Sequence, residues 1–408
     1  MPRRSKQLVK QDFKPGIIGW VRRRVLPILA KGTALAGIAL LGAWITGRVL
    51  TDEHHWSQYV YWLPPIVMIG GAWVLLILST ILAAMARRLG GLLLRPVLLL
   101  LAIGCTIHLV FGVWHTHRSI TSSSNKAPDA IRVLHWNHGG KSIDADAWGE
   151  RINQLDTDIV LFANPEWGEE RQALLDQFTH FAPDERVRWV NYSYRVNADP
   201  AHFRVEGHAV IASRFPMTRT GKVHFGDHER QEVMNRSSSS NGWVMFAEFD
   251  LDPERGDDQP LVVWFVDLPS NPTAWKMDEM RTVRSAIDSW NGAGWEMGRN
   301  VWEQFQDESA SFPDPDLIIG DFNTPRGSAS IDLLAPGFND AFEQGGHGRG
   351  RSFRLSDVGP GGVISAVVDL HIDLALVAPA HGVNYYTLLG SAKTDHTPQI
   401  VDIDVGNR

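Results

Sequence analysis

The sequence predicts an α/β domain of two packed sheets covered by helices, preceded by three membrane-spanning helices. Three apolar stretches before residue 115 predict the spans. Eight strand-like runs after residue 129, rich in Val, Ile and aromatic residues, predict the sheets. Because helical patterns fill only some of the gaps between these runs, two packed sheets are favoured over a strictly alternating βαβ fold.

Each apolar stretch approaches the ~20 residues that a helix needs to cross a hydrocarbon core of ~30 Å. The stretches run from about Gly32 to Leu50, from Tyr59 to Met85 and from Val97 to Trp114. A signal peptide is the alternative for the first stretch, but a long basic tail precedes it and two further stretches follow. Three buried helices of a soluble domain are the other alternative. We assign residues 1–115 to a membrane anchor, 116–128 to a polar linker and 129–408 to the catalytic domain.

Basic residues predict the orientation of the spans. Eight Lys and Arg lie between Arg3 and Arg24, ahead of the first span, and Arg87, Arg88 and Arg95 lie around the second loop. The first loop instead contains Asp52 and Glu53. The positive-inside rule therefore places the tail and the second loop in the cytoplasm. We expect a multi-pass protein of the cytoplasmic membrane that contacts the lipid bilayer through three helices, with its C-terminal domain outside the cytoplasm.

The formal charge of the chain changes sign near residue 128, after the apolar segments end. The formal charge is +12 up to residue 128 and −19 beyond it, within a total of −7. Lys and Arg supply most of the affinity for nucleic-acid phosphates, so a domain this acidic argues against tight binding of duplex nucleic acid. The single cysteine, Cys105, excludes an intramolecular disulfide and a cysteine-based zinc site.

The strand-like runs and two helical patterns predict the elements of the domain. The runs are Ile131–Trp136, Ile159–Phe162, Ala209–Ala212, Trp243–Phe249, Leu261–Val266, Leu317–Ile319, Ile372–Val377 and Gln399–Ile403. One helix is expected over residues 144–155. Another is expected to start near Pro272, capped by Ser270 or Asn271, and to run to Trp290.

Polar side chains suited to a hard metal ion follow several of these runs. They are Asn137, Glu166, Asp321, Asn323, Asp373, Asp395 and His396. Carboxylate and amide oxygens are the ligands that Mg²⁺ or Mn²⁺ accepts, and one or two of them suffice beside phosphate oxygens. Most of these motifs alone are also typical of an ordinary strand end or solvated loop. Gly-Asp-Phe-Asn-Thr-Pro, at residues 320–325, is the most specific. Together with the segments at 136–137, 164–166, 371–373 and 394–396 it makes five motifs, whose order favours a single site.

The geometry of a strand predicts how two of these side chains converge. In extended backbone, Asp321 and Asn323 point to one side, while Phe322 packs behind them. Gly320 allows the backbone to approach a neighbour closely. Asp395 and His396 are adjacent, so both reach one site only where the chain bends.

These residues resemble the endonuclease/exonuclease/phosphatase superfamily, which includes deoxyribonuclease I and the neutral sphingomyelinases. The resemblance covers about Ile131 to Val405. It rests on Arg132-Val-Leu-His-Trp-Asn137, Asp158-Ile-Val-Leu-Phe-Ala-Asn-Pro-Glu166, Ala209-Val-Ile-Ala-Ser-Arg-Phe-Pro216, Gly320-Asp-Phe-Asn323, Ile372-Asp373 and Asp395-His396. It implies a four-layer αββα sandwich with the site at one end of the two sheets.

The resemblance also implies roles for these residues. Glu166 would bind the metal ion, Mg²⁺ or Mn²⁺, with Asn137 and Asp395 close to it. Asp321 would orient or deprotonate the attacking water, and Asn323 would position the water or the phosphate. Asp373 would hold His396 in the tautomer and charge state needed at the phosphate.

Two motifs depart from the family's pattern. The family has His before Leu-Pro, where this chain has Asp267-Leu268-Pro269. An ionised Asp cannot donate a hydrogen bond to phosphate, so either Asp267 binds a second metal ion or another histidine, such as His208, enters the site. The family's Leu-Gln-Glu is Asn164-Pro165-Glu166 in this chain.

The sequence therefore predicts a membrane-anchored, divalent-metal-dependent hydrolase of a phosphomonoester or phosphodiester. The expected substrate is a phosphorylated small molecule or a lipid headgroup. The alternative is a catalytically impaired relative that serves as a membrane-anchored binding or sensing module. Asp267 favours that alternative, and the retention of the other polar residues favours the hydrolase.

Overall fold

The computed structural model describes residues 17–86, 93–120, 125–166, 168–177, 181, 183–189, 195–225, 241–252, 259–299, 301–354, 370–390 and 394–406. The chain forms two compact units. One contains the residues up to Ile45 together with Pro65–His108, and the other contains Thr46–Pro64 together with Leu109–Arg408. The domain boundaries expected at residues 116–128 stay a prediction.

Three helices are long and apolar enough to span a membrane: α1 (Ile17–Leu50), α3 (Pro65–Met85) and α4 (Leu94–Val113). The short helix α2 (His55–Tyr61) lies between the first two in the chain. The apolar stretch expected from Tyr59 is therefore two helices, because the second begins only at Pro65, where a proline suits the first turn. Many large apolar side chains of the three long helices are exposed, as a lipid-facing surface requires.

The second unit contains the two sheets. Its strands are β1 Ala130–Asn137, β2 Ile159–Ala163, β3 Pro183–Trp189, β4 Arg195–Ala198, β5 Phe203–Glu206, β6 Ala209–Ser213, β7 Met217–Phe225, β8 Gly242–Phe249, β9 Leu261–Asp267, β10 Ala293–Met297, β11 Trp302–Gln306, β12 Leu317–Asp321, β13 Asn339–Asp340, β14 Asp373–Val377, β15 Gly382–Leu388 and β16 Gln399–Asp404. Its helices are α5 Ala145–Gln154, α6 Glu169–Asp176, α7 Lys276–Asp288, α8 Ile331–Leu334 and α9 Ala341–Gly345.

Two mixed sheets form the body of this unit, as the sequence predicted. One has the strand order β15-β16-β1-β2-β6-β5 and the other β11-β10-β7-β8-β9-β12-β14-β13, while β3 and β4 form a separate hairpin. Within them, β1 pairs with β2 and β9 pairs with β12 in parallel.

Three apolar clusters produce the layers. The central cluster lies between the two sheets and includes Val133, Phe265 and Ile319. On the outer face of the six-stranded sheet, Trp148 of α5 packs with residues such as Phe162. A third cluster joins α7 to the outer face of the eight-stranded sheet. Helices therefore flank two packed sheets, which confirms the predicted four-layer αββα sandwich.

All eight predicted strands are present, each with ends within two residues of the predicted ones. The predicted start of α7 was wrong, because the helix begins at Lys276 rather than near Pro272. The backbone amide of Lys276 donates to Gln58 Oε1 at 2.9 Å, and the carbonyl of Ala274 accepts from Gln58 Nε2 at 2.8 Å. These two backbone groups therefore bond to Gln58 and not to groups of an earlier helical turn.

Candidate active site

Three carboxylates lie side by side where β9 and β12 end and β14 begins. Asp267 is the parallel cross-strand neighbour of Asp321, and Asp321 is the antiparallel neighbour of Asp373. Directly paired residues project to the same face of a sheet, so the three side chains form a row. Asp321 and Asp373 are buried and Asp267 is partly buried. The sheet therefore brings together three predicted site residues from across about 110 positions of the chain.

Gly320 makes this row possible. Its φ is +155°, and a Cβ built on it would lie 2.0 Å from the backbone oxygen of Val266. The backbone at Gly320 therefore approaches a neighbour closely, as expected, and that neighbour is strand β9.

Asn323 reaches the site by a turn rather than by strand alternation. The strand ends at Asp321, and Asn323 has a φ of +47°. The amide nitrogen of Asn323 donates to Asp321 Oδ1 at 2.9 Å, and its side-chain nitrogen donates to the carbonyl of Leu268 at 2.8 Å. The predicted extended geometry was wrong, although Phe322 does pack behind in the core.

Two asparagines of the six-stranded sheet bridge to the carboxylates of the other sheet. Asn137 Nδ2 donates to Asp321 Oδ2 at 2.9 Å. Asn164 Nδ2 donates to Asp267 Oδ2 at 2.9 Å and to Asn137 Oδ1 at 3.1 Å. Asn164 has a φ of +50°, in the left-handed region that asparagine tolerates better than most residues. Two residues that depart from the family pattern, Asn164 and Asp267, therefore contact each other.

His396 completes the cluster on the other side of Asp321. Its Nδ1 lies 3.0 and 3.2 Å from the two oxygens of Asp373, and its Nε2 lies 3.7 Å from Asp321 Oδ2. Burial alone would lower the pKa of this imidazole, but the charges of Asp373 and Asp321 outweigh burial and raise the pKa to about 10. His396 is therefore an imidazolium at neutral pH.

The same crowding changes the acidity of the carboxylates. Burial, with the charges of Asp373 and Asp267 adding to it, raises the pKa of Asp321 to about 8 against the opposing charge of His396. Burial also raises the pKa of Asp267 to about 6, although the hydrogen bond from Asn164 opposes the shift. Asp321 is therefore poised to hold or accept a proton near neutral pH.

Asp395 lies beside the turn that follows β1. Its Oδ2 is 3.3 Å from Lys141 Nζ. Its Oδ1 is buried and has no hydrogen-bond partner among the residues that the structure describes. Gly139 has a φ of +59°, and a Cβ on it would lie 2.9 Å from this oxygen. The chain thus leaves a carboxylate oxygen oriented into a tight glycine-lined recess.

Glu166 follows β2 in a turn held by a buried arginine. Arg171 donates to the carbonyls of Pro165 at 2.7 Å, Glu166 at 3.3 Å and Gly207 at 3.0 Å. The side chain of Glu166 is half-buried. Arg171 therefore fixes the backbone from which this predicted metal ligand projects.

Sequence reasoning missed Arg171 and Ser352. The hydroxyl of Ser352 accepts from the amides of both Ile372 and Asp373 at 2.9 Å, which fixes the start of β14. No local sequence pattern identifies either residue, since each hydrogen-bonds backbone groups of a turn or of a segment distant in sequence. His208, considered as a substitute for the family's histidine, has an exposed side chain. Its backbone carbonyl accepts from the amide of Asn164 at 2.8 Å.

Two mixed sheets flanked by helices, with acidic and imidazole side chains gathered at one end, define the class of fold. The sequence model of the endonuclease/exonuclease/phosphatase family matches residues 134–396. The chain therefore belongs to the endonuclease/exonuclease/phosphatase family.

Solved structures similar to this chain include two from Bacteroides thetaiotaomicron. One is a protein of the same family, with 14% identity, coverage of 68% of this chain and 98% of that one, and a TM-score of 0.41. The other is a mannosyl-6-phosphatase, with 14% identity, coverage of 67% and 99%, and a TM-score of 0.41. A 3′ phosphatase from Neisseria, bound to a product DNA hairpin, has 12% identity, coverage of 67% and 98%, and a TM-score of 0.39. No curated protein matches this sequence.

Proposed function

We propose that this domain hydrolyses a phosphate ester with the help of a divalent cation, Mg²⁺ or Mn²⁺. The observation that carries the proposal is the row of Asp267, Asp321 and Asp373 with His396 against it. In this group the pKa values of Asp267, Asp321 and His396 are raised, which is typical of an acid–base site.

Each residue of the cluster has a part in the proposed reaction. In its ionised form Asp321 accepts a proton from the attacking water, and its pKa of about 8 makes this carboxylate a stronger base than an ordinary aspartate. Asn323 positions the water or the phosphate, because its amide is held beside Asp321. Asp373 holds His396 protonated, and the free edge of the imidazolium donates to the phosphate, where negative charge develops.

Glu166, Asn137 and Asp395 would hold the cation. Their carboxylate and amide oxygens are the ligand type that Mg²⁺ and Mn²⁺ prefer. The buried Asp395 Oδ1, without a hydrogen-bond partner among the described residues, fits such a ligand. Asn137 Oδ1 already accepts from Gly139 and Asn164, so a cation there would displace one of these bonds. When bound, the cation supplies positive charge that offsets the charge of the phosphate oxygens.

A second set of atoms is compact enough for a cation. Ligand atoms of Asp321, Asp373 and His396 all lie within 4.8 Å of one another. The Nδ1 of His396, however, already faces both oxygens of Asp373 at 3.0 and 3.2 Å. We therefore assign these three residues to proton transfer and phosphate binding.

The proposed substrate is a phosphorylated small molecule or a lipid headgroup outside the cytoplasm. The acidic charge of the domain disfavours a polyanion such as duplex nucleic acid. Tyr61, whose hydroxyl donates to the carbonyl of Arg326, lies only four residues before Pro65, where a helix able to span a membrane begins. Covalent connection to such a helix favours a substrate found at a membrane.

Metal dependence gives the direct test of this proposal. The full-length protein in detergent is assayed on phosphomonoesters, phosphodiesters and phospholipid vesicles, with Mg²⁺ or Mn²⁺ and with a chelator. Hydrolysis is expected only with the cation. Glu166→Gln preserves volume but removes the ligand charge, so it should abolish activity and leave the melting temperature nearly unchanged.

Glu150→Gln, an exposed position on α5, is the matched control and should retain activity. Wild-type turnover of Glu166→Gln at low Mg²⁺ would show that the proposed metal site is wrong. Absence of hydrolysis on every substrate would instead favour the second candidate, a binding or sensing module, for which Asp267 is the supporting observation.

A further inference from the structure

We propose that the connector between the first two long helices, residues 51–61, is a positioning element of the active site. This inference rests on the proposed function. The connector belongs to the same compact unit as the sheets. Its Asp52 and Gln58 are both fully buried, which is unusual for polar side chains in a loop between apolar helices.

Gln58 holds the loop that follows Asp267. Its Oε1 accepts from the backbone amide of Lys276 at 2.9 Å, and its Nε2 donates to the carbonyl of Ala274 at 2.8 Å. One amide side chain thus satisfies a backbone donor and a backbone acceptor of the same segment. His55 and Tyr59 add contacts of 3.0 and 3.2 Å to the carbonyl of Thr273.

A continuous chain of contacts runs from Gln58 to Asn323. The Nζ of buried Lys276 donates to the carbonyl of Pro269 at 2.9 Å. The next residue towards β9 is Leu268, whose carbonyl accepts from Asn323 Nδ2 at 2.8 Å. The amide of Leu268 in turn donates to the carbonyl of Asp321 at 2.8 Å. A shift of the Gln58 contact therefore reaches the side chain that is proposed to position water or phosphate.

Asp52 holds the loop that follows Asn323. Its Oδ1 accepts from the backbone amide of Ser330 at 3.1 Å, and its Oδ2 accepts from the hydroxyl of the same serine. Thr51 Oγ1 accepts from the amide of Ala329 at 3.2 Å, and the hydroxyl of Tyr61 donates to the carbonyl of Arg326. The connector thus contacts two of the loops that leave the site, one behind Asp267 and the other behind Asn323.

These contacts have a catalytic consequence. Reacting groups must be held in a near-attack geometry, and a misplacement of about 1 Å costs about a hundredfold in rate. Neither Asp52 nor Gln58 belongs to the row of carboxylates, so each acts through the loops that it fixes. A loss of either contact should lower kcat and leave KM nearly unchanged, because His396 and the proposed cation ligands lie on other segments, while Asn323 loses its geometry for attack.

The test uses the full-length protein in detergent with two near-isosteric variants, Gln58→Met and Asp52→Asn. Hydrogen exchange is measured at the amides of Lys276 and Ser330, and kcat and KM are measured on the best substrate. We expect exchange at the affected amide to become about tenfold faster, as for the loss of one hydrogen bond. We expect kcat to fall by about tenfold to a hundredfold.

Asp199→Asn is the matched control. Asp199 also accepts from a backbone amide, that of Ala201 at 3.0 Å, in the turn before β5. This variant should change neither exchange at the two loops nor kcat. Asp52→Asn keeps the inference testable should Gln58→Met fail to fold.

Two results would overturn the positioning role. In the first, exchange accelerates while kcat stays at the wild-type value, which would make the connector a purely structural support. In the second, neither quantity changes. If the wild-type protein hydrolyses no substrate, the proposed function itself is wrong. If the wild type is active and the variants hydrolyse as fast, only the positioning role is wrong.

Discussion

At the level of single residues, the contact between Asn164 and Asp267 distinguishes this site from the pattern that the resemblance implies. The resemblance implies a leucine at position 164 and a histidine at position 267, and the chain replaces both. Asn164 Nδ2 donates to Asp267 Oδ2 at 2.9 Å, which stabilises a carboxylate beside two others. A lone carboxylate facing phosphate would oppose substrate binding, so we propose that Asp267 binds a second cation.

The first residue-scale prediction concerns Asp267. Asp267→Asn should raise the metal concentration needed for half-maximal activity, because it removes a ligand charge and keeps the shape. Asp267→His should lower activity, because it too removes the negative charge that would bind the cation. The measurement is the hydrolysis rate as a function of Mg²⁺ or Mn²⁺ concentration.

A rise of about a hundredfold in Asp267→His would contradict this assignment. One well-placed donor to developing charge is typically worth about that much, so such a gain would make position 267 a phosphate-binding position. Unchanged rates in both variants would mean that the side chain does not act in the reaction.

The sequence predicted the identities of most cluster residues because each follows a recognisable strand. Asp321 and Asp373 come at strand ends, where an alternating pattern stops. The sequence did not predict the hydrogen bond between Asn164 and Asp267, because this bond joins residues 103 positions apart that lie at the ends of strands of different sheets. The turn at Asn323 was also missed, since a φ of +47° leaves no mark in a hydrophobic pattern.

At the level of elements, the pairing of β9, β12 and β14 builds the site. Parallel pairing of β9 with β12 brings Asp267 beside Asp321, and antiparallel pairing of β12 with β14 brings Asp373 to the other side. The register is decisive, because a slip of one residue would turn each carboxylate to the opposite face. Gly320 permits this register at the last step before Asp321.

The element-scale prediction is that Gly320→Ala disrupts the pairing of β9 with β12. The added methyl group would meet the Val266 oxygen at 2.0 Å. We expect a loss of stability of about 3 kcal/mol or more, at the upper end of the cost of overpacking. Thermal unfolding of the full-length protein in detergent measures it.

Gly382→Ala is the control for this prediction. Gly382 also lies in a strand, but a Cβ there would meet its nearest neighbour, the Asp404 Cβ, at an ordinary 3.6 Å. It should leave the melting temperature nearly unchanged. Equal melting temperatures of Gly320→Ala and wild type would contradict the close approach.

Elements were predictable where they carry their own apolar pattern and not where distant contacts set them. Strands such as β12 are short buried runs and were found. The start of α7 was misplaced because the amide of Lys276 is bonded by Gln58, more than two hundred residues earlier in the chain. The edge strand β11 and its neighbour β10 carry polar residues and no continuous apolar run, so pattern alone did not identify them.

At the level of the whole molecule, three helices able to span a membrane precede and interrupt the chain that forms the hydrolase-type domain. The connector between the first two helices is built into that domain through Asp52 and Gln58. A functional assay therefore needs the full chain. The orientation of the helices stays a prediction from the basic residues in the tail and the second loop.

The topology prediction is tested with a reporter fused after Arg408. We expect it to read as outside the cytoplasm, because eleven Lys and Arg lie in the segments assigned to the inside. Protection of this terminus from external protease in intact spheroplasts would contradict the orientation.

The most direct test of the central claim is the hydrolysis rate of Asp321→Asn in the full-length protein with saturating Mg²⁺ or Mn²⁺. Loss of a proton acceptor at the attacking water should reduce kcat by about 10² to 10⁴-fold. Asp316→Asn, at the opposite end of the same strand segment, should keep the wild-type rate. A variant Asp321→Asn that hydrolyses its substrate as fast as the wild type would contradict the assignment of this cluster as the active site.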